Sequence, residues 1–415
     1  PALPAAAEAA ALPPPAAGMR RRRSASVDMF GDESPGGAAG EEEPLAPVAE
    51  MVASAGAGPA GVDSDYDDED GYYRFMPGEV IRDRYRVLEL CGKGVFSTVL
   101  RACDMEASPP RNVAIKVVRA NDMMARAAEK EAGVLMALAN ADTADRKRCV
   151  RLLATFAFRG HQCLVFESLQ CDLRKLNKQY GSGCGLSLDA VRAYGRQLFT
   201  ALAHVHDVGY VHADVKPDNM LVGGGKHTLL KLSDFGTAIP NWELPEYART
   251  TYIGSRYYRA PEIVLGGDRG PGVDVWAAGC VLYELATGAF CFSGTDNLEL
   301  LASMGHVLGE VPPRILRKAP FRDRYYTAED ALAQPADRAP LPTPAAPGKV
   351  RAAKARHPDK PRRHAKARSL TDAEKQATAN LADLLVRLFQ YDPTKRPNAK
   401  EALKHGFFKK APKGK

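Results

Sequence analysis

Between Tyr85 and Val118 the apolar residues recur as they do in β-strands, and from Met123 onward they recur as they do in helices. The first stretch holds three segments rich in β-branched and apolar residues, YRVLEL, FSTVLRACD and NVAIKVV, with a glycine turn after the first, and reads as three antiparallel strands. Helical spacing follows over Met124 to Leu138, Leu188 to His206, Val273 to Thr287 and Leu298 to Leu308, and resumes at Thr371 to Phe389. The expected fold class is therefore α+β, a small antiparallel-sheet lobe preceding a larger, mainly helical one.

The flanks have a different composition. Residues 1 to about 62 are rich in Ala, Pro, Gly and acidic residues, too poor in large apolar side chains to offset ordering entropy. With the acidic patch Asp63 to Asp70 they form an expected disordered arm over 1–70. Aromatic residues begin to recur at Gly71-Tyr-Tyr-Arg-Phe, where the folded region is expected to start. A second low-complexity stretch, about 331–368, reads as an exposed basic insertion, and 409–415 as a basic tail. The net charge of +7 sits in the local runs Arg20 to Arg23, Lys349 to Arg368 and Lys409 to Lys415, which suits solvated tails. The insertion lacks interleaved aromatics on which bases could stack, so direct RNA contact is not expected. Eight cysteines without a CxxC pair suit free thiols in a reducing compartment. No start resembles a cleavable leader, since Pro13, Pro14 and Pro15 break the first apolar stretch. The longest apolar run, Val275 to Phe292, is interrupted by Gly279, Glu284, Thr287 and Gly288, so a buried helix is expected there and no membrane span.

Several short motifs, in order along the chain, suit phosphoryl transfer from a nucleotide, a reaction that asks a protein mainly to position two reactants and neutralise charge. The turn Gly92-Lys93-Gly94-Val95-Phe96-Ser97 lies between two expected strands, where glycines let the backbone approach phosphates closely. Lys116 lies inside the apolar strand Val113-Ala-Ile-Lys and needs anionic partners. Nucleotide phosphates would supply one, and Glu131 on the following helix, rather than Glu129, another. In His212-Ala-Asp-Val-Lys-Pro-Asp-Asn, Asp214 can accept or orient a hydroxyl proton, Lys216 can neutralise the transferring phosphate, and Asn219 can ligate magnesium together with Asp234 of Asp-Phe-Gly. Glu262 of Ala260-Pro-Glu is expected to pair with Arg396 as a structural contact, and Asp274 to anchor the loop that carries Asp214.

These motifs, in this order over about Tyr85 to Phe408, resemble the eukaryotic protein kinase superfamily. Ser255-Arg-Tyr-Tyr-Arg-Ala-Pro-Glu and the long segment between Gly309 and Thr371 are similar to the CMGC group. Within it, Glu69-Asp-Gly-Tyr-Tyr-Arg, the Gly92 loop, Asn121-Asp-Met-Met, Cys163-Leu-Val-Phe-Glu, His212-Ala-Asp and Thr251-Tyr252 resemble the spliceosome-associated pre-mRNA-processing kinases of the PRP-four type. The resemblance implies a bilobal kinase domain over 71–408, with an N-lobe of about 71–167 and a C-lobe of about 168–408. It implies ATP and magnesium, transfer to serine or threonine of splicing factors, a nuclear location and a monomeric kinase domain. It places Val99 and Ala114 in the nucleotide site, Phe166 as the gatekeeper behind the adenine, and Glu167 and Leu169 in the hinge that holds it through backbone groups. Dual-specificity tyrosine-regulated kinases, SR-protein kinases and a pseudokinase scaffold are the alternatives.

Many kinases carry arginine where this chain has Ala213, a side chain that holds a phosphorylated activation loop. With that clamp absent, Tyr252 is expected to be phosphorylated and Arg256 to receive the phosphate.

Overall fold

A computed structural model describes residues 66–249, 251, 253–333 and 371–409. The N-lobe is a six-stranded antiparallel sheet built from β1 (Val80–Ile81), β2 (Tyr85–Lys93), β3 (Ser97–Asp104), β4 (Arg111–Val118), β5 (Leu152–Phe158) and β6 (His161–Glu167). Their spatial order is β1-β2-β3-β4-β6-β5. Register across its middle sets Lys116 of β4 between Val99 of β3 and Leu164 of β6, and Ala114 opposite Phe166. Helix α1 (Asp122–Asn140) starts where the Asn121 side chain accepts from the amides of Met123 and Met124. Its buried residues Ala128, Glu131, Ala132, Leu135 and Leu138 recur at three- and four-residue steps, so the spacing that buries the apolar stripe also turns Glu131 inward.

The C-lobe follows through β7 (Cys171–Asp172) and α2 (Leu173–Tyr180) to the long α3 (Leu188–Val208), capped by Ser187 at its start and closed by the left-handed Gly209. Short ladders of β8 (Tyr210–Val211), β9 (Met220–Gly223), β10 (Leu229–Leu232) and β11 (Ile239–Pro240) lie beneath the cleft; β9 runs between β7 and β10, and β8 pairs with β11. Beyond them come α4 (Pro261–Leu265), α5 (Gly272–Thr287), α6 (Asn297–Leu308), α7 (Pro313–Leu316), α8 (Asp372–Leu388) and α9 (Ala399–Leu403). Helix α5 is buried nearly all round, and its Trp276 meets Phe292 and Phe389 at ring separations of 5.2 and 5.1 Å. The apolar face of α1 belongs to the same core as Phe235, Leu198 and Trp276, which ties the lobes together behind the cleft. Tyr85, Leu100, Ile115 and Phe156 form a separate core within the sheet.

The five helices read from spacing are present, each within two residues of its expected ends. The sheet has six strands where three were expected. Of the three additional strands, β6 carries no polar alternation because His161, Cys163, Leu164 and Val165 are all buried, β5 (LLATFAF) is apolar at six of its seven positions, and β1 is only two residues long. The packed chain also begins before the expected boundary at 71: Asp67 bridges to Tyr73 and its carboxylate lies 2.7 Å from the buried ring of His161. The rest of the expected arm (1–65), most of the insertion (334–368) and the tail residues 410–415 lie outside the described residues. All eight cysteines are free thiols. Among the described residues no helix is long and apolar enough to cross a membrane.

Candidate active site

The cleft between the lobes collects the charged residues singled out above. Lys116 Nζ lies 2.7 and 3.0 Å from the two Glu131 oxygens and 3.5 Å from Asp234 Oδ1. Burial pulls the Lys116 pKa down, but Glu131 and Asp234 outweigh it and hold it above the ordinary lysine value. Glu131 is itself pushed up by burial, against the pull of Lys116. Glu129, one of the two candidates on that helix, is exposed. Gly236 leaves room for this arrangement, since a Cβ there would sit 3.4 Å from Glu131 Oε2.

Below the cleft, the loop from His212 to Asn219 is held by its backbone. Asp274, almost fully buried at the start of α5, accepts from the amides of His212 and Ala213 at 2.8 and 2.9 Å and from the His206 ring at 2.8 Å. This hold supports the left-handed backbone of Ala213 (φ 68°), a conformation that costs a non-glycine residue energy. Asp214 is then fixed on three sides. Its Oδ2 lies 2.6 Å from Lys216 Nζ and 3.1 Å from Asn219 Nδ2, and its Oδ1 accepts from the Ser255 amide at 2.8 Å. Burial pushes the Asp214 pKa up, but Lys216 and Ser255 more than reverse this and leave it below the ordinary aspartate value.

Asn219 commits both amide hydrogens to Asp214, at its backbone oxygen (2.9 Å) and its carboxylate, which leaves Oδ1 as the atom suited to a hard cation. Its backbone oxygen accepts from Ser233, the residue before Asp234, so the two expected metal ligands are held side by side. One carboxylate and one amide oxygen fit magnesium that shares its shell with phosphates and water. Among the described residues no cluster of three or more His, Cys, Asp or Glu forms an all-protein metal cage.

The glycine turn closes with the Gly94 amide on the Ser97 carbonyl at 2.8 Å, and Val95 and Phe96 at its tip are exposed. Phe166, Glu167 and Leu169 lie partly buried along the connection between lobes. The Glu167 side chain is taken up within the protein: its Oε1 accepts from the Arg151 amide at 2.8 Å and from buried Lys231 at 2.7 Å, while Lys231 also reaches Asp145 at 2.5 Å. That network was not anticipated, since Lys231 and Glu167 are 64 positions apart. Ser255 was likewise read as a family marker only, yet its hydroxyl receives Lys216 at 3.0 Å. Tyr252 lies outside the described residues. Exposed Arg256 directs Nη1 to the Thr295 carbonyl, while buried Arg259 donates to the carbonyls of the adjacent residues Ile253 (3.2 Å) and Gly254 (2.9 Å).

Comparison with known proteins agrees with this geometry. The protein kinase domain family matches residues 85–408. The serine/threonine-protein kinase prpf4B of Dictyostelium discoideum is 35% identical over 353 residues, which cover 83% of this chain and 42% of that protein. The serine/threonine-protein kinase prp4 of Schizosaccharomyces pombe is 35% identical over 349 residues, 84% of this chain and 72% of the relative. The human dual specificity tyrosine-phosphorylation-regulated kinase 3 is 36% identical over 262 residues, 63% of this chain and 43% of the relative. The chain thus spans less than half of the Dictyostelium protein and nearly three quarters of the fission-yeast one. It belongs to the protein kinase family, among the serine/threonine kinases of the prp4 type.

Proposed function

We propose that the chain transfers the γ-phosphoryl group of ATP to serine or threonine hydroxyls of splicing factors, in the nucleus. The observation that carries the chemistry is the setting of Asp214, gripped by Lys216, Asn219 and the Ser255 amide. With its pKa below the aspartate range it is ionised at neutral pH and a weak base. That suits a loose transition state, in which the incoming hydroxyl must be aimed first and loses its proton late. Lys216 lies between Asp214 and Ser255, where it can reach the transferring group. Lys116 would hold the nucleotide phosphates beneath the Gly92–Ser97 turn, with the adenine among Val99, Ala114 and Phe166 and against the backbone of Glu167 and Leu169. Magnesium, held by Asn219 and Asp234, would neutralise the phosphate oxygens. The resemblance to spliceosome-associated kinases supports the substrate class and the location.

The test is a kinase assay on nuclear extract with the wild-type protein and Asp214→Asn. The variant should lose on the order of 10³-fold in rate, and the phosphosites that vanish should be serines and threonines of splicing factors. Equal labelling by both proteins would sink the mechanism, and phosphotyrosine on added substrates would favour the dual-specificity alternative.

Regulation is proposed to run through phosphorylation of Tyr252. Exposed Arg256 is a candidate receiver, because a guanidinium has five donors and the Thr295 carbonyl cannot use them all. Mass spectrometry of fully active protein should find the phosphate, and an unmodified Tyr252 peptide at full activity would remove the idea.

A further inference from the structure

The residues just before the sheet form a strap across the glycine turn. Tyr72 Oη lies 2.9 Å from the carbonyl of Gly94 and 3.0 Å from that of Val95, so a single hydroxyl proton is shared between the two carbonyls at the turn's tip. The ring beneath that hydroxyl is held between two cations, with Lys93 Nζ 3.8 Å and the Arg119 guanidinium 4.6 Å from its centre. Both cations are tied to the strap and the turn. Lys93 pairs with Asp68 at 3.0 Å, and Arg119 donates to the Asp70 carbonyl at 2.7 Å and to the Val95 carbonyl at 3.3 Å.

The strap is itself anchored at depth. Buried His161 contacts the Asp67 carboxylate with one ring nitrogen and the Val118 carbonyl with the other, both at 2.7 Å. Buried Tyr73 donates to Glu79 at 2.8 Å. Between these anchors Asp68 accepts from the Tyr72 amide at 2.8 Å, which fixes where the Tyr72 ring leaves the backbone. The tip's backbone ties are the Gly94 amide on the Ser97 carbonyl (2.8 Å) and the Arg119 amide on the Phe96 carbonyl (3.1 Å); the Gly94 and Val95 carbonyls between them are met by Tyr72 and the Arg119 guanidinium.

We propose that Tyr72 is a positioning residue for ATP binding: through its hydroxyl it holds the Gly94–Val95 carbonyls on the outer side of the turn, so that the turn is preorganised before nucleotide arrives. This rests on the reading of the turn as the phosphate cover. Preorganisation acts on affinity more than on chemistry, because a loop already in place loses less freedom on binding. The effect should therefore appear in KM for ATP and not in kcat.

The test compares the full chain with Tyr72→Phe, which keeps the ring and its cation contacts and removes the hydroxyl alone. KM for ATP should rise about fivefold, the scale of one lost hydrogen bond, with kcat within about twofold. Amide hydrogen exchange at Gly94 to Phe96 without nucleotide should quicken, while exchange in α5 stays as in the wild type. Arg119→Lys, which keeps a cation but loses the forked hold, should move both readouts the same way. A Tyr72→Phe protein with unchanged KM and unchanged exchange at the turn would overturn the proposal, as would a fall in melting temperature alone. A wild-type chain that neither binds nor turns over ATP would instead overturn the reading on which it rests.

Discussion

Two glutamate–cation pairs, one between sheet and helix in the N-lobe and one deep in the C-lobe, have nearly the same contact distances and different proposed roles. Glu131 meets Lys116 at 2.7 and 3.0 Å, and Glu262 meets Arg396 at 2.5 and 2.7 Å. The difference is what the cation has left over. Arg396 is wholly buried and gives its three remaining hydrogens to the carbonyls of Gln390 (2.8 Å), Gly272 (3.0 Å) and Tyr391 (3.5 Å), so its bonding is closed within the protein. Lys116 keeps 19% of its side chain exposed, and its third neighbour is Asp234, one of the proposed magnesium ligands. A closed site holds structure together, and an open one is available to a ligand.

Exchanging each cation for methionine should separate the two roles. Arg396→Met leaves Glu262 buried without its partner and should cost about 3–5 kcal/mol of stability, read by denaturant unfolding. Activity per folded molecule should change little. Lys116→Met also leaves a buried carboxyl, Glu131, without its partner and should cost stability as well, but it should in addition lower kcat/KM per folded molecule by about 10²–10³-fold, the scale seen when one charge-stabilising donor is removed. Unchanged activity per folded molecule in Lys116→Met, or an equal loss of it in Arg396→Met, would erase the distinction and make Lys116 a structural residue.

How far such sites can be read from sequence depends on how local they are. The loop from His212 to Asn219 is contiguous, so the side chains it brings together are neighbours on paper too. Glu131 could be chosen over Glu129 because helical spacing sets it on the face of Ala128, Leu135 and Leu138. The pairing of Glu262 with Arg396 spans 134 positions that no periodicity links, and its expectation rests on the motifs Ala260-Pro-Glu and Asp392-Pro-Thr-Lys-Arg-Pro. Where neither spacing nor motif applied, nothing pointed to the contact. Tyr72 reaches a carbonyl 22 positions away, Lys231 reaches Glu167, and Ser255 reaches Asp214 across 41. Each is fixed by tertiary register alone. Strand β6 is hidden for a related reason: burial on both faces removes the alternation that betrays a strand.

The smallest effect concerns pH, and it sharpens the contrast inside the open site itself. Glu131 and Asp214 lie in one cleft with pKa values moved in opposite directions, Glu131 up through burial and Asp214 down through Lys216 and Ser255. A carboxyl whose folded pKa lies above its unfolded value takes up its proton more readily in the native state. Ionised Glu131 therefore costs stability at neutral pH, and the cost is relieved as pH falls through its folded value. Asp214 has the opposite sign: its contribution is full above the ordinary aspartate pKa of 3.8 and is lost only as pH falls through its lower folded value. On acidification Glu131 should protonate first and release Lys116, while Asp214 is still ionised. The acid limb of kcat should then belong to Glu131. In Glu131→Gln, which lacks the titrating group, kcat at neutral pH should be about tenfold lower than in the wild type. The ratio of wild-type to variant rates cancels ionisation of the nucleotide, and it should fall as the pH is lowered from 7 toward 5. A ratio that stays constant over that range would show that the acid limb arises elsewhere.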